Sequence, residues 1–231
     1  MTDWFDKQKN LWRDWRTFLL FIAIMLVFRS AIADWNQVPS GSMKPSILVG
    51  DRIVVDKLAY DLRIPFTLHR IARWAEPERG DVVTFPSPAD ERLLVKRIIG
   101  LPGDVVELRN NQLIVNGERA TYTELSAEEI SRIQLPNKRG YRFVRESQGG
   151  VSYFVMFRRG FHARPYQSFA PVTVPDHHFL MLGDNRDDSS DYRVIGWVER
   201  ERILGRAKTI AFSLNYDNYY APRMNRFFEP L

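Results

Sequence analysis

The chain has 231 residues, 45% of them apolar and 26% charged, with a formal net charge of +5 and no cysteine. Such a composition builds one core, or one core with a smaller appended lobe, and excludes a disordered tail. It also excludes disulfides, a thiolate nucleophile and a Cys-ligated metal, and the scattered basic residues, without zinc-finger spacing or an RNA-binding signature, do not point to nucleic acid as a partner.

The N-terminus reads as a membrane segment. Lys7, Lys9, Arg13 and Arg16 precede the continuous apolar run TFLLFIAIMLVF, Thr17 to Phe28. Counted from Arg16 to Trp35, with Arg29 snorkelling outward, it has the ~20 residues of a spanning helix. Trp12, Trp15 and Trp35 then fall near the two interfaces. A cleaved signal peptide competes with this reading, because Ala31-Ile32-Ala33 has the small-x-small form of a cleavage site. Arg29 and Ser30 interrupt the approach to that site and the charged leader is long, which favours a retained anchor. The expected order is a cytoplasmic leader over 1–16, a single-pass anchor over 17–35 in the inner membrane, and everything after it on the extracytoplasmic side, in contact with membrane lipids.

Past the anchor come short β-rich runs with turn punctuation: DRIVVDKL, GDVVTFPSP, RLLVKRIIGLPGDVVELRN, NQLIVNG, HHFLMLGDN and GWVERERILGRAKTIAFSL. The class is mainly β. Asn110-Asn111 and Asn116-Gly117 read as tight turns, pairing Val105–Leu108 with Gln112–Val115. In Tyr60 to Trp74, Ile64, Phe66, Leu68, Ile71 and Trp74 alternate with Arg63, His69, Arg70 and Arg73. This stretch is either a packed amphipathic loop or a hairpin resting on a bilayer. Composition changes over 117–175, which reads as an inserted α+β lobe with a short helix and a hairpin, dividing a β core of 36–116 and 176–215. An aromatic, partly basic tail follows over 216–231.

Chemistry has several candidate seats. In VPSGSMKPSIL, Val38 to Leu48, Ser40 and Ser42 flank one glycine, which is either an ordinary turn or the seat of a nucleophile. A serine nucleophile needs a base. His177 and His178, with Asp184 downstream, leave a triad open, although no G-x-S-x-G elbow supports it. Lys44 is nearest in sequence but precedes Pro45 in a polar turn, without the apolar surroundings that favour a neutral amine. Lys96, in LLVKRIIG, lies on a strand apolar on both faces, where burial favours the neutral amine that accepts a proton; a snorkelling or ion-paired lysine is the plainer alternative. The acidic segment GDNRDDSSDYR, Gly183 to Arg193, interleaves Arg186 and Arg193 with carboxylates, so salt bridges satisfy it more readily than a metal does.

The order of anchor, PSGSMKPSIL, RGDVVTF, VKRIIGLPGD and GDNRDDSSDYR resembles the bacterial type I signal peptidases, membrane-anchored serine proteases with a Ser/Lys dyad that remove signal peptides from exported preproteins. The resemblance implies Ser42 as nucleophile and Lys96 as general base. It implies Ser40 beside the Ser42 N–H as the oxyanion hole, Ser189 orienting the lysine, and Asp184, Arg186, Asp191 and Arg193 bracing the site. It also implies a coiled, mostly antiparallel β core and no cofactor. Ser46, Asp188 and Tyr192 depart from the residues common there. A substrate strand laid beside the turn would meet Val38, Pro39, Met43 and Val95, which narrow the pockets toward small side chains. The alternatives from other classes are an anchored, non-catalytic assembly protein and a basic peripheral module.

Overall fold

A computed structural model describes residues 2–67, 69–160 and 167–231, with the backbone alone for 2–14. Leu68 and the side chains of Lys7, Lys9, Trp12 and Arg13 lie outside the described residues. Helix α1 (Thr2–Ala31) carries the apolar run, and Phe18, Leu20, Phe21 and Ile24 on it are exposed. No helix among the described residues is long and apolar enough to cross a membrane. The expected spanning helix over 17–35 is thus not supported, and its end point is overturned: Ala33–Gln37 form strand β1, with Trp35 opposite Val54 of β2 (Asp51–Asp56). Local charge stops the helix. Arg29 pairs with Asp34 at 2.7 Å and lies over the Trp35 ring, and Lys57 Nζ donates to the Arg29 and Ser30 carbonyls at 2.8 and 3.1 Å, satisfying groups a helix end leaves open.

Strands β3 (Asp61–Arg63) and β4 (Arg70–Arg73) form a separate hairpin, on which Ile64, Phe66, Ile71 and Trp74 are exposed; the Phe66 N–H donates to Ser30 Oγ at 2.7 Å. Then come β5 (Val82–Pro86), β6 (Leu93–Gly100), β7 (Val105–Arg109) and β8 (Gln112–Val115). The β7–β8 hairpin closes through Asn110 and Asn111, both at positive φ, in the register expected from the sequence. Two successive left-handed residues match the twist of the strands they join, and asparagine tolerates that conformation. Asn116 and Gly117 do the same between β8 and β9 (Glu118–Arg119).

The segment expected as a lobe holds β10 (Thr121–Glu124), α2 (Ala127–Arg132), and the hairpin of β11 (Tyr141–Gln148) and β12 (Val151–Arg158). Helix α2 starts at a capping box in which Ser126 and Glu129 each accept from the other's backbone N–H. Strands β13 (Phe169–Thr173) and β14 (His178–Leu182), helix α3 (Tyr192–Ile195), β15 (Val198–Glu199), β16 (Gly205–Asn215), β17 (Ala221–Pro222) and β18 (Glu229–Pro230) complete the chain.

The main sheet runs β1-β2-β16-β5-β6-β14-β15, every pair antiparallel, with β17 and β18 added on β16. Register shifts along β16 bend it from β2 across to β5, which coils the sheet. The alternation in DRIVVD puts Ile53 and Val55 inside, packed with Val38, Met43, Ile47, Val82, Ala207 and Ile210. A second cluster joins Ile99, Leu180 and Leu182 of the main sheet to Val144, Tyr153 and Val155 of the β11–β12 hairpin. The 117–175 segment thus shares a core with the strands that carry the candidate site.

Candidate active site

The Ser42 turn is held from two sides. The Val38 N–H donates to Asp51 O and the Gly50 N–H to Val38 O, so the loop leaves and rejoins the sheet at one place. Val38, Met43 and Ile47 fill the space beneath it. From the other side Asn185 holds the turn with two donors: its backbone N–H to Ser42 O and its Nδ2 to Gly41 O, both at 3.0 Å. These bonds orient the peptide units on either side of Ser42.

Lys96 stands on β6 opposite Val83, in the interior half of that strand, and is 2% exposed. Its Nζ lies 2.7 Å from Ser42 Oγ and 3.1 Å from Val95 O. Burial lowers its pKa, Asp191 and Asp184 partly restore it and Arg193 lowers it again, leaving about 8. Ser40 Oγ lies 3.4 Å from Ser42 Oγ on the exposed side of the turn. Of the three kinds of base weighed from the sequence, it is Lys96 that reaches the serine. His178 Nδ1 is 2.8 Å from Asp176 O at the start of β14, while Leu182, at its other end, pairs with Arg97 beside Lys96. Asp184, the carboxylate a triad would use, is occupied by Arg97.

The acidic segment folds as a brace. Asp184 takes a two-pronged bond from Arg97 at 2.9 and 2.7 Å and one from Ser46 Oγ at 2.6 Å, tying the strand of Lys96 to the loop of Ser42. Asp191 accepts from the Gly183 N–H at 3.0 Å and from Arg193 at 2.8 and 2.7 Å. Arg186 meets Glu146 of β11 in a fully buried pair at 2.5 and 2.6 Å. Burial works against the Glu146 carboxylate, but the Arg186 guanidinium holds its pKa below the usual range. Gly183 has no room for a side chain, because a Cβ there would meet Ser42 O, Ser189 Cβ and Ser189 Oγ. Ser189 Oγ is buried beside this contact without a hydrogen-bond partner among the described residues. Ser189 therefore lies at the back of the Ser42 turn with an unspent hydroxyl.

Of the four residues expected to shape a substrate pocket, Val38 and Met43 are buried beneath the turn, Val95 packs on their cluster, and Pro39 is exposed. Asn185 and Glu146 were not singled out from the sequence, and Ser46 entered only as a departure from the residue common in the resembled family. Asn185 sits inside GDNRDDSSDYR and was legible there as a polar residue next to Asp184, whereas Glu146 carries no local signal, since its partner is 40 positions away.

Residues 11–212 match the family described as Signal peptidase, peptidase S26. A Signal peptidase I of Pseudomonas fluorescens is 35% identical over 212 residues, covering 86% of this chain and 71% of that protein. One from Rickettsia massiliae is 35% identical over 228 residues, covering 90% and 82%. The crystal structure of a signal peptidase I from Enterococcus faecalis V583 is 28% identical, covering 57% of this chain and 97% of that one, at a TM-score of 0.34. A family match across most of the chain, including the Ser42 turn and the Lys96 strand, shows that the chain belongs to the signal peptidase family, peptidase S26.

Proposed function

We propose that this chain is a serine endopeptidase that cleaves signal peptides from exported preproteins, with Ser42 as nucleophile and Lys96 as general base. The observation that carries the reading is the 2.7 Å contact between Ser42 Oγ and a lysine amine that is buried and poised at a pKa of about 8. At pH 7 about one molecule in ten then holds a neutral lysine, against fewer than about one in a thousand at the reference value of ~10.4.

Neutral Lys96 Nζ accepts the Ser42 hydroxyl proton as Oγ bonds to the scissile carbonyl carbon. The carbonyl electrons move onto oxygen, where the Ser42 N–H and the Ser40 hydroxyl donate. The C–N bond breaks as Lys96 returns the proton to the leaving amine. Water, giving its proton to Lys96, then hydrolyses the ester and frees Ser42. Ser189 is assigned to orient Lys96: it makes no bond to the lysine in the resting site, and its buried, unpartnered hydroxyl beside the turn is the group available to receive the amine once Ser42 Oγ turns to substrate. Asp184, Arg186, Asp191 and Arg193 keep the two loops and β6 in register.

The exposed apolar run of α1 supports attachment to a membrane, with the basic leader on the cytoplasmic side and the β body on the other face. Incubation of the full chain in detergent with a preprotein tests the function. Wild type is expected to release the mature N-terminus after a small side chain, and Ser42→Ala is expected to release none. An inert wild type would leave an anchored assembly protein instead.

A further inference from the structure

The 216–231 tail begins beyond the family match, which ends at residue 212, and two of its arginines turn inward toward the nucleophile loop. Arg226, on a short 3-10 turn, is 5% exposed and spends most of its guanidinium on that loop. Its Nε donates to Asp51 Oδ1 at 3.2 Å, and its Nη2 to Asp51 Oδ2 at 2.7 Å and to the Ser46 carbonyl at 2.9 Å, while Nη1 pairs with Glu229 at 3.1 Å. Asp51 is fully buried and accepts from the Leu48 N–H at 2.7 Å, so Arg226 grips the residue that closes the loop. Arg223 adds a bond to the Val49 carbonyl at 3.0 Å. Leu231 packs on the cluster of Val38, Met43 and Ile47 under Ser42, and β18 fixes the end of the tail on β16. Ser46 is where the two halves of the site meet: its carbonyl accepts from Arg226, and its hydroxyl donates to Asp184, the partner of Arg97 beside Lys96.

We infer that the C-terminal tail is a strap that sets the position of Ser42 relative to Lys96, with Arg226 as its positioning residue. This deepens the serine protease reading and rests on it. A charged, two-pronged clamp on a carboxylate and a carbonyl fixes direction as well as distance, which a point charge does not. Arg226 meets the loop at Asp51 and the Ser46 carbonyl, on its buried side, while Ser40 is exposed, so loosening the strap is expected to act on the geometry of attack more than on ground-state binding.

The test measures kcat and KM of the full-length chain in detergent on a short peptide carrying a signal-peptide cleavage site, well below each variant's melting temperature. Arg226→Ala is expected to lower kcat about 10- to 100-fold, the scale on which a ~1 Å misplacement acts, with KM within about twofold of wild type. Arg226→Lys keeps the charge without the fork and is expected to fall between the two. Tyr219→Ser, 98% exposed on the same tail, is expected to match wild type. If Arg226→Ala melts below the assay temperature, Arg226→Lys decides: a several-fold lower kcat at unchanged KM supports the strap, and a wild-type kcat overturns it. A wild-type kcat in folded Arg226→Ala, a loss confined to KM, or an equal loss in Tyr219→Ser overturns it as well. Ser42→Ala, run alongside, separates the failures: if it cleaves like wild type the protease reading falls and takes the strap with it, whereas if it is inactive only the strap is in question.

Discussion

At the scale of single residues the proposed reaction needs Ser42 with its proton and Lys96 without one, 2.7 Å apart. Removing Ser42 Oγ removes the covalent step, so Ser42→Ala is expected to lower kcat on the order of 10⁶-fold. Ser40→Ala deletes one oxyanion donor and leaves the Ser42 N–H, for an expected loss of roughly 10²–10³ in kcat with little change in KM. Steady-state kinetics on one peptide rank wild type above Ser40→Ala above Ser42→Ala, and an inverted order would exchange the two roles. Lys96 sets the pH dependence. Its pKa of about 8 means that kcat rises with pH through that value as the amine loses its proton. The stability effect has the same sign. Between pH 8 and ~10.4 the unfolded chain binds the proton that the folded chain has lost, so wild-type stability climbs over that window. Lys96→Met is therefore expected to be inactive, more stable than wild type below pH 8, and to lose that advantage toward pH 10, as read by thermal melts across pH.

At the scale of elements, the acidic segment is fastened to β11 through Arg186 and Glu146, neither of which touches water. Tyr153 OH completes the network by donating to Glu146 at 2.6 Å. Glu146→Gln leaves the guanidinium uncompensated inside the protein and is expected to destabilise by about 3–5 kcal/mol, the scale for breaking a buried pair. Pairing it with Arg186→Met removes the orphaned charge and is expected to recover part of that loss. Urea denaturation of the two single variants and the double variant checks both statements. A double variant no better than Glu146→Gln alone would mean that the pair holds the backbone by more than its charge. The same elements show why some of the site was legible and some was not. Ser42, Lys96 and the acidic segment each advertise themselves locally, by a Ser-Gly-Ser turn, by a lysine between apolar neighbours, and by carboxylates interleaved with arginines. Glu146 and Arg226 do not, because a charged residue on a strand or in a tail reads as solvated until the fold brings it a buried partner.

At the scale of the whole molecule, α1 presents an apolar surface that the β body leaves uncovered, and the β3–β4 hairpin, bonded to Ser30, carries further exposed apolar residues beside it. Removal of 2–31 is expected to leave cleavage of short soluble peptides close to wild type. Cleavage of a preprotein held in phospholipid vesicles is expected to slow by at least about tenfold, because attachment to one surface raises the effective concentration of enzyme and substrate. Equal slowing of both reactions would show that the helix serves the β body's fold and not its encounter with membrane-held substrates.

The sequence by itself determined the β class, the tight asparagine turns, the hairpin they close and the residue types of a serine–lysine site, since these follow from local periodicity, turn chemistry and motif order. It placed the end of the N-terminal helix too late, because hydropathy counts Trp35 as apolar and cannot see that β2 offers residues 33–37 a strand to pair with. Only the tertiary structure decided which base reaches Ser42. A lysine 54 positions away becomes its 2.7 Å neighbour when β6 packs against the turn, while the histidines, already the weaker candidates on sequence, are carried to the far end of β14. It also decided where the buried charges find partners, Arg186 on Glu146 in the segment between the two halves of the β core and Asp51 on Arg226 in the tail beyond it, because a buried charge must be compensated.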